Sequence, residues 1–178
     1  MNVYPQNYVI DTNVFIEAHR RYYPFDICPG FWSALCWWQS KGRVCSVAKV
    51  KEELTRNDDT LCSWSTDKFG DDAFISPSQN VVGAFSELAD WVNTQNQFQD
   101  RAKAEFSEVA DGWVIAHAKA TGSVVVTHEG YSPEKRNKVP MPNVCQAFNI
   151  EWISSFEMLR RLGVTFNWTP SETSLEGA

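Results

Sequence analysis

Apolar positions along the chain fall in two rhythms. Short unbroken runs mark strands, and apolar residues spaced by three and four mark helices. Tyr8–Asp11 is a short apolar strand that ends on a carboxylate. Val14 to about Arg21 follows as a helix, capped by Thr12 or Asn13. Pro24, Pro29 and Gly30 then break the chain. Phe31, Leu35 and Trp38 share one face of a second helix, which Gly42 ends. Arg43–Val47 is a second strand, and Ala48–Arg56 a helix with Val50 and Leu54 four apart. Residues 57–78 are polar, with room for a short helix around Leu61–Phe69. A long helix spans Val81–Phe98, and the charged stretch Arg101–Val109 receives no element. Asp111–Thr121 is a helix with Asp111 as its cap, and Ser123–Thr127 is an apolar run suited to a strand buried on both faces. A loop, His128–Pro142, leads to a short helix at Asn143–Phe148, a strand at Ile150–Ile153 and a last helix at Ser154–Leu162.

Strands separated by helices predict an α/β fold with a central parallel sheet of four to five strands and helices on both faces, a three-layer α/β/α arrangement. In such sheets ligands bind beyond the carboxyl ends of the strands. That is where the acids fall. Asp11 ends the first strand, and Glu129 lies two residues past Thr127. Asp111 opens the helix that leads into Ser123–Thr127, and Glu53 lies in the helix after the second strand. Each alone has an ordinary explanation as a cap, a turn residue or a water-facing helix residue. Glu52 stands beside Glu53, and the pattern does not choose between them. Together the four predict one acidic cluster. Close carboxylates repel and raise one another's pKa unless a cation lies between them. Oxygen donors without His or Cys favour magnesium or manganese.

Composition narrows the classes. The 178 residues are 43% hydrophobic and 21% charged, which predicts one globular domain over residues 1–168. The last stretch, 169–178, is small and polar and is expected to be a disordered tail. A net charge of −6 excludes binding of nucleic acid through a general basic field, but not an acidic nuclease site. The five cysteines include no C-x-x-C pair, so free thiols in a cytoplasmic setting are expected. Three histidines without ligand spacing argue against structural zinc. No signal peptide, membrane span or internal repeat is expected. The eight Trp and eleven Phe are read as core filling.

Four segments carry a family resemblance: "VIDTNVF" at 9–15, "VKEELTR" at 50–56, "ADGWVIAHA" at 110–118 and "VVVTHE" at 124–129. In this order the chain resembles a PIN-domain nuclease over roughly residues 8–165. The later stretch, residues 138–166, is similar to a prokaryotic PIN subgroup catalogued as a domain of unknown function. The resemblance implies a PIN-like fold and a Mg²⁺- or Mn²⁺-dependent endoribonuclease that hydrolyses RNA phosphodiester bonds. It makes Asp11, Glu53, Asp111 and Glu129 the catalytic and metal-binding acids, with Asn13 and Thr127 orienting them. Glu129 departs from the family pattern, which has Asp there. Residues 57–80 also look longer than in the smallest family members.

To hold an RNA polyanion, the chain offers Lys135, Arg136 and Lys138 after Glu129, and Lys49 and Arg56 flanking Glu53. A toxin role with an antitoxin partner stays open under the resemblance, as does a homodimer. So does a catalytically inactive PIN-like binding or scaffold domain. A phosphohydrolase with Asp11 as covalent nucleophile is disfavoured, because Asn13 stands where that chemistry places a second acid.

Overall fold

The computed structural model of the chain describes residues 6–169. Its centre is a five-stranded sheet in the order β3-β2-β1-β4-β5, parallel at every pairing. The strands are β1 (Tyr8–Ile10), β2 (Val44–Val47), β3 (Phe74–Ile75), β4 (Val124–Val126) and β5 (Trp152–Ile153). The helices are α1 (Thr12–Glu17), α2 (Pro29–Ser40), α3 (Ala48–Leu54), α4 (Thr60–Trp64), α5 (Gln79–Thr94), α6 (Asp100–Glu108), α7 (Ala110–Thr121), α8 (Met141–Ala147) and α9 (Ser155–Arg161). They flank the sheet and give the three-layer α/β/α architecture.

The unbroken apolar runs explain the topology. Every residue of β1 and β4 is buried, as a parallel strand covered on both faces requires. Val9 and Ile10 pair with Val125 and Val126, so the carboxyl ends of β1 and β4 lie side by side. The Asp11 amide continues that ladder and donates to the Val126 carbonyl at 3.0 Å. Parallel neighbours need a crossover, and the helices supply it. Most aromatics fill the core: Phe15, Trp32, Trp64 and Phe69 pack against one another beneath α1. Trp37 remains half exposed.

Several expectations need adjustment. Helix α1 starts at Thr12, so Asp11, not Thr12 or Asn13, holds the cap position. Its last turns loosen into a π-helical segment, Ala18–Tyr22. Val109 holds the cap position of α7, and Asp111 lies inside the first turn. The strand β3 went unread because two residues cannot show a period. Helix α6 occupies the stretch left without an element; its buried face is only Ala102 and Phe106, four apart. The expected tail falls outside the described residues except for Thr169. All five cysteines are free. Among the described residues no helix is long and apolar enough to cross a membrane.

Candidate acidic site

The carboxyl ends of β1 and β4 bring Asp11 and Thr127 together. Asp11 is fully buried. The Thr127 hydroxyl donates to Asp11 Oδ2 at 3.1 Å and accepts from the Glu129 amide at 3.2 Å. One hydroxyl thereby fixes both acids of this rim. Asp11 Oδ1 is buried and has no hydrogen-bond partner among the described residues. An unpaired buried carboxylate oxygen is costly, so such an atom points to a missing cation or proton.

Glu53 reaches the same place from α3. Its Oε1 accepts from the Ala110 amide at 3.0 Å, and its Oε2 from the Thr12 hydroxyl at 2.6 Å. The first bond satisfies an amide at the start of α7 that lacks a local cap, and it puts negative charge at the helix's positive end. Glu52 is exposed and pairs with Lys49 at 2.8 Å. The geometry therefore selects Glu53. Gly112 lets α7 sit close. A Cβ there would meet Phe85 at 2.8 Å and Phe106 at 3.2 Å.

Glu129 turns back into the site. Its Oε2 accepts from the Met141 amide at 2.9 Å, and its Oε1 accepts from Lys138 Nζ. The same ammonium lies 3.6 Å from Asp111 Oδ2. Lys138 was expected to meet an RNA backbone; instead it is turned inward, because two carboxylates compensate its charge in this half-buried position.

The electrostatics follow from this crowding. Burial lifts the Asp11 carboxyl well above the usual range, and the charges of Asp111 and Glu129 add to the lift. The Thr127 bond and Lys138 only partly oppose it. Burial also pushes Asp111 up to about 6, with Lys138 pulling down and Glu129 and Glu53 pushing up. For Lys138, burial disfavours the charge, but the Glu129 bond and the charges of Asp111, Glu129 and Asp11 outweigh it and raise its pKa.

Asp11, Glu53, Asp111 and Glu129 thus share one electrostatic neighbourhood. As the side chains stand, no three His, Cys, Asp or Glu among the described residues form a ready-made ion cage. Glu53 is occupied by Thr12 and Ala110, and Glu129 by Lys138 and Met141. The donor chemistry still fits a hard divalent ion: oxygens only, and one buried oxygen with no partner among the described residues.

The supporting residues divide. Thr127 sits where expected, whereas Asn13 is exposed and bonds none of the four acids among the described residues. Thr12 bonds Glu53 instead. The first residue of a helix points back over its N-terminal turn, and Thr12, not Asn13, has that position. Lys49 is held by Glu52, and Arg56 is exposed. Lys135 and Arg136 are exposed on a loop whose carbonyls accept from Gln97 and from the Gln99 amide.

A family model matches residues 8–166, nearly all of the described chain. The chain belongs to the family described as Domain of unknown function (DUF4411). That description carries no activity. No curated protein matches this DUF4411 chain.

Proposed function

We propose that this DUF4411 chain is a PIN-type, Mg²⁺- or Mn²⁺-dependent endoribonuclease that hydrolyses RNA phosphodiester bonds. The supporting observation is Asp11, wholly buried near the charges of Asp111 and Glu129, with no partner for Oδ1 among the described residues. Negative charge gathered out of water is costly unless a cation or a proton compensates it, and carboxyls perturbed in this way cluster at functional sites. The order of the four motifs supports the same reading.

Bound there, a divalent ion would supply a polarised phosphoryl oxygen and an activated water. Asp11, Glu53, Asp111 and Glu129 would hold it. Thr127 keeps Asp11 and Glu129 in register, and Thr12 with the Ala110 amide keeps Glu53 from swinging away. Carboxylate oxygens at this rim are the acceptors for the proton of an attacking water. A toxin role would add an antitoxin protein that covers the site. Co-purification from the natural operon tests that.

One observation favours a second reading, an inactive PIN-like binding or scaffold domain. Lys138 already neutralises Glu129 and Asp111, as an ammonium does when it replaces an ion. Single-stranded RNA with manganese separates the two. The nuclease reading expects cleavage by the wild type and at least a hundredfold less by Asp11→Asn, the scale on which one such group matters. Equal cleavage, or none, rejects it.

A further inference from the structure

Residues His19–Tyr23 read HRRYY, two arginines followed by two aromatic rings. Ala18–Tyr22 is π-helical, a form that recurs at functional sites. Tyr23 turns inward and stacks on Phe31, with ring centroids 4.3 Å apart. Tyr22 does not, and 44% of it is exposed. Its ring is nevertheless braced from behind. It lies edge-on to Phe156 at 5.3 Å and tilted against His128 at 5.4 Å. Those two rings touch each other at 5.6 Å, and the Ser155 hydroxyl lies 3.2 Å from His128 Nε2.

The location ties this ring to the acids. His128 stands in the chain between Thr127, which bonds Asp11, and Glu129. Consecutive Cα atoms are about 3.8 Å apart, so the His128 backbone lies at the carboxylate rim and the Tyr22 ring is one side chain removed from it. Arginines neighbour it in sequence and on α9. Arg20 is exposed and stands in no ion pair among the described residues. Arg21 meets Glu17 at 3.3 Å, and Arg160, one turn beyond Phe156 on α9, meets Glu157 at 3.6 Å. Both arginine side chains are at least 70% exposed. Water-exposed pairs of this kind are weak and can be exchanged for another anion. Lys138, by contrast, is committed to the acids. An open aromatic face with exposed guanidinium groups complements a nucleotide whose base is unpaired, since the face takes the base and the arginines take phosphate.

We propose that Tyr22, braced by His128 and Phe156 and flanked by Arg20, Arg21 and Arg160, stacks an unpaired base of a single-stranded RNA whose backbone enters the carboxylate site. This rests on the ribonuclease reading and narrows it to single strands, because paired bases are already stacked in their own helix. It also gives a net-acidic protein holding cations on the aromatic face, outside the acid cluster.

Binding without cleavage tests it. A fluorescein-labelled oligouridine is titrated into the intact protein in EDTA at low salt. A strand of the same length with abasic sites serves as comparison. Tyr22→Ala should weaken oligouridine binding about tenfold, in line with measured base–aromatic stacking. Tyr22→Phe should retain wild-type binding, and the abasic strand should bind both forms alike. Unchanged oligouridine binding in Tyr22→Ala overturns the proposal and leaves the face to a protein partner. An equal loss for both strands also overturns it, because the effect is then not stacking. Failure here together with a retained manganese-induced rise in melting temperature rejects the platform alone. Loss of both rejects the ribonuclease reading beneath it.

Discussion

Lys138 Nζ bonds Glu129 and stands 3.6 Å from Asp111 Oδ2, so one ammonium bridges two carboxylates from different parts of the chain. Replacing it by methionine removes the counter-charge but keeps the stem. Lys138→Met should lower the melting temperature without metal by several degrees, because breaking a half-buried ion pair leaves unpaired charge. The same change should tighten manganese binding about tenfold, roughly 1.4 kcal/mol. Calorimetric titration of both forms checks this. Weaker binding in Lys138→Met would mean that the lysine supports the ion site instead of competing for it.

The acids also set a pH dependence. A carboxyl whose folded pKa is raised stabilises the fold below its unfolded pKa and loses that contribution as pH rises through the folded value. For Asp111 the window runs from 3.8 to about 6, and Asp11 shifts in the same direction. His117 and His128 oppose this. Burial lowers both, so their contribution is lost as pH falls. The readout is therefore a difference. The stability of Asp111→Asn relative to wild type should climb across pH 4 to above 6, by up to about 3 kcal/mol, then level off. Urea unfolding at stepped pH without metal would show it; a flat difference contradicts the raised Asp111 pKa.

Glu53 has two duties that can be separated. Glu53→Ala removes the acceptor for the Ala110 amide and the Thr12 hydroxyl, and should cost about 1–2 kcal/mol. Glu53→Gln keeps an acceptor for the amide and should cost much less, while losing manganese affinity as the alanine form does. Thermal melts with and without manganese separate these effects. Equal stability of the two variants would remove the capping role.

Gly112 tests how closely α7 must approach. An added Cβ would sit 2.8 Å from Phe85, whose ring stacks on Trp113 with centroids 4.0 Å apart. Phe85 cannot shift without disturbing that stack. Gly112→Ala should cost about 1–3 kcal/mol despite its better helix propensity. A stabilised variant would show that the contact relaxes freely.

The layers and the parallel sheet were legible because β1 and β4 are unbroken apolar runs, β2 is interrupted only by Ser46, and α5 has a long periodic face. β3 was not, since its placement at the edge comes from pairing Ser46 with Phe74 and Val47 with Ile75. Helix α6 left a trace, Ala102 and Phe106 four apart, within a charged stretch that hid it. Strand ends and helix starts set Asp11, Glu53, Asp111 and Glu129 where their charges act on one another, without three of them forming an ion cage among the described residues. Thr12 was missed because its bond to Glu53 spans distant residues and depends on how α3 lies against α1. The inward turn of Lys138 was illegible for a similar reason: in sequence it belongs to a basic loop, and only the fold places it between acids. Tyr22 gave no periodic signal, because the π-helical segment departs from helical spacing.

The most direct measurement is the melting temperature of the intact protein with and without millimolar manganese, beside an Asp11→Asn/Asp111→Asn double variant. An ion that binds only the folded state at a hundredfold excess over its dissociation constant adds about 2.7 kcal/mol. The wild type should therefore gain several degrees, and the double variant should gain none. Equal shifts in both, or no shift in either, would contradict a divalent-ion site at these carboxylates.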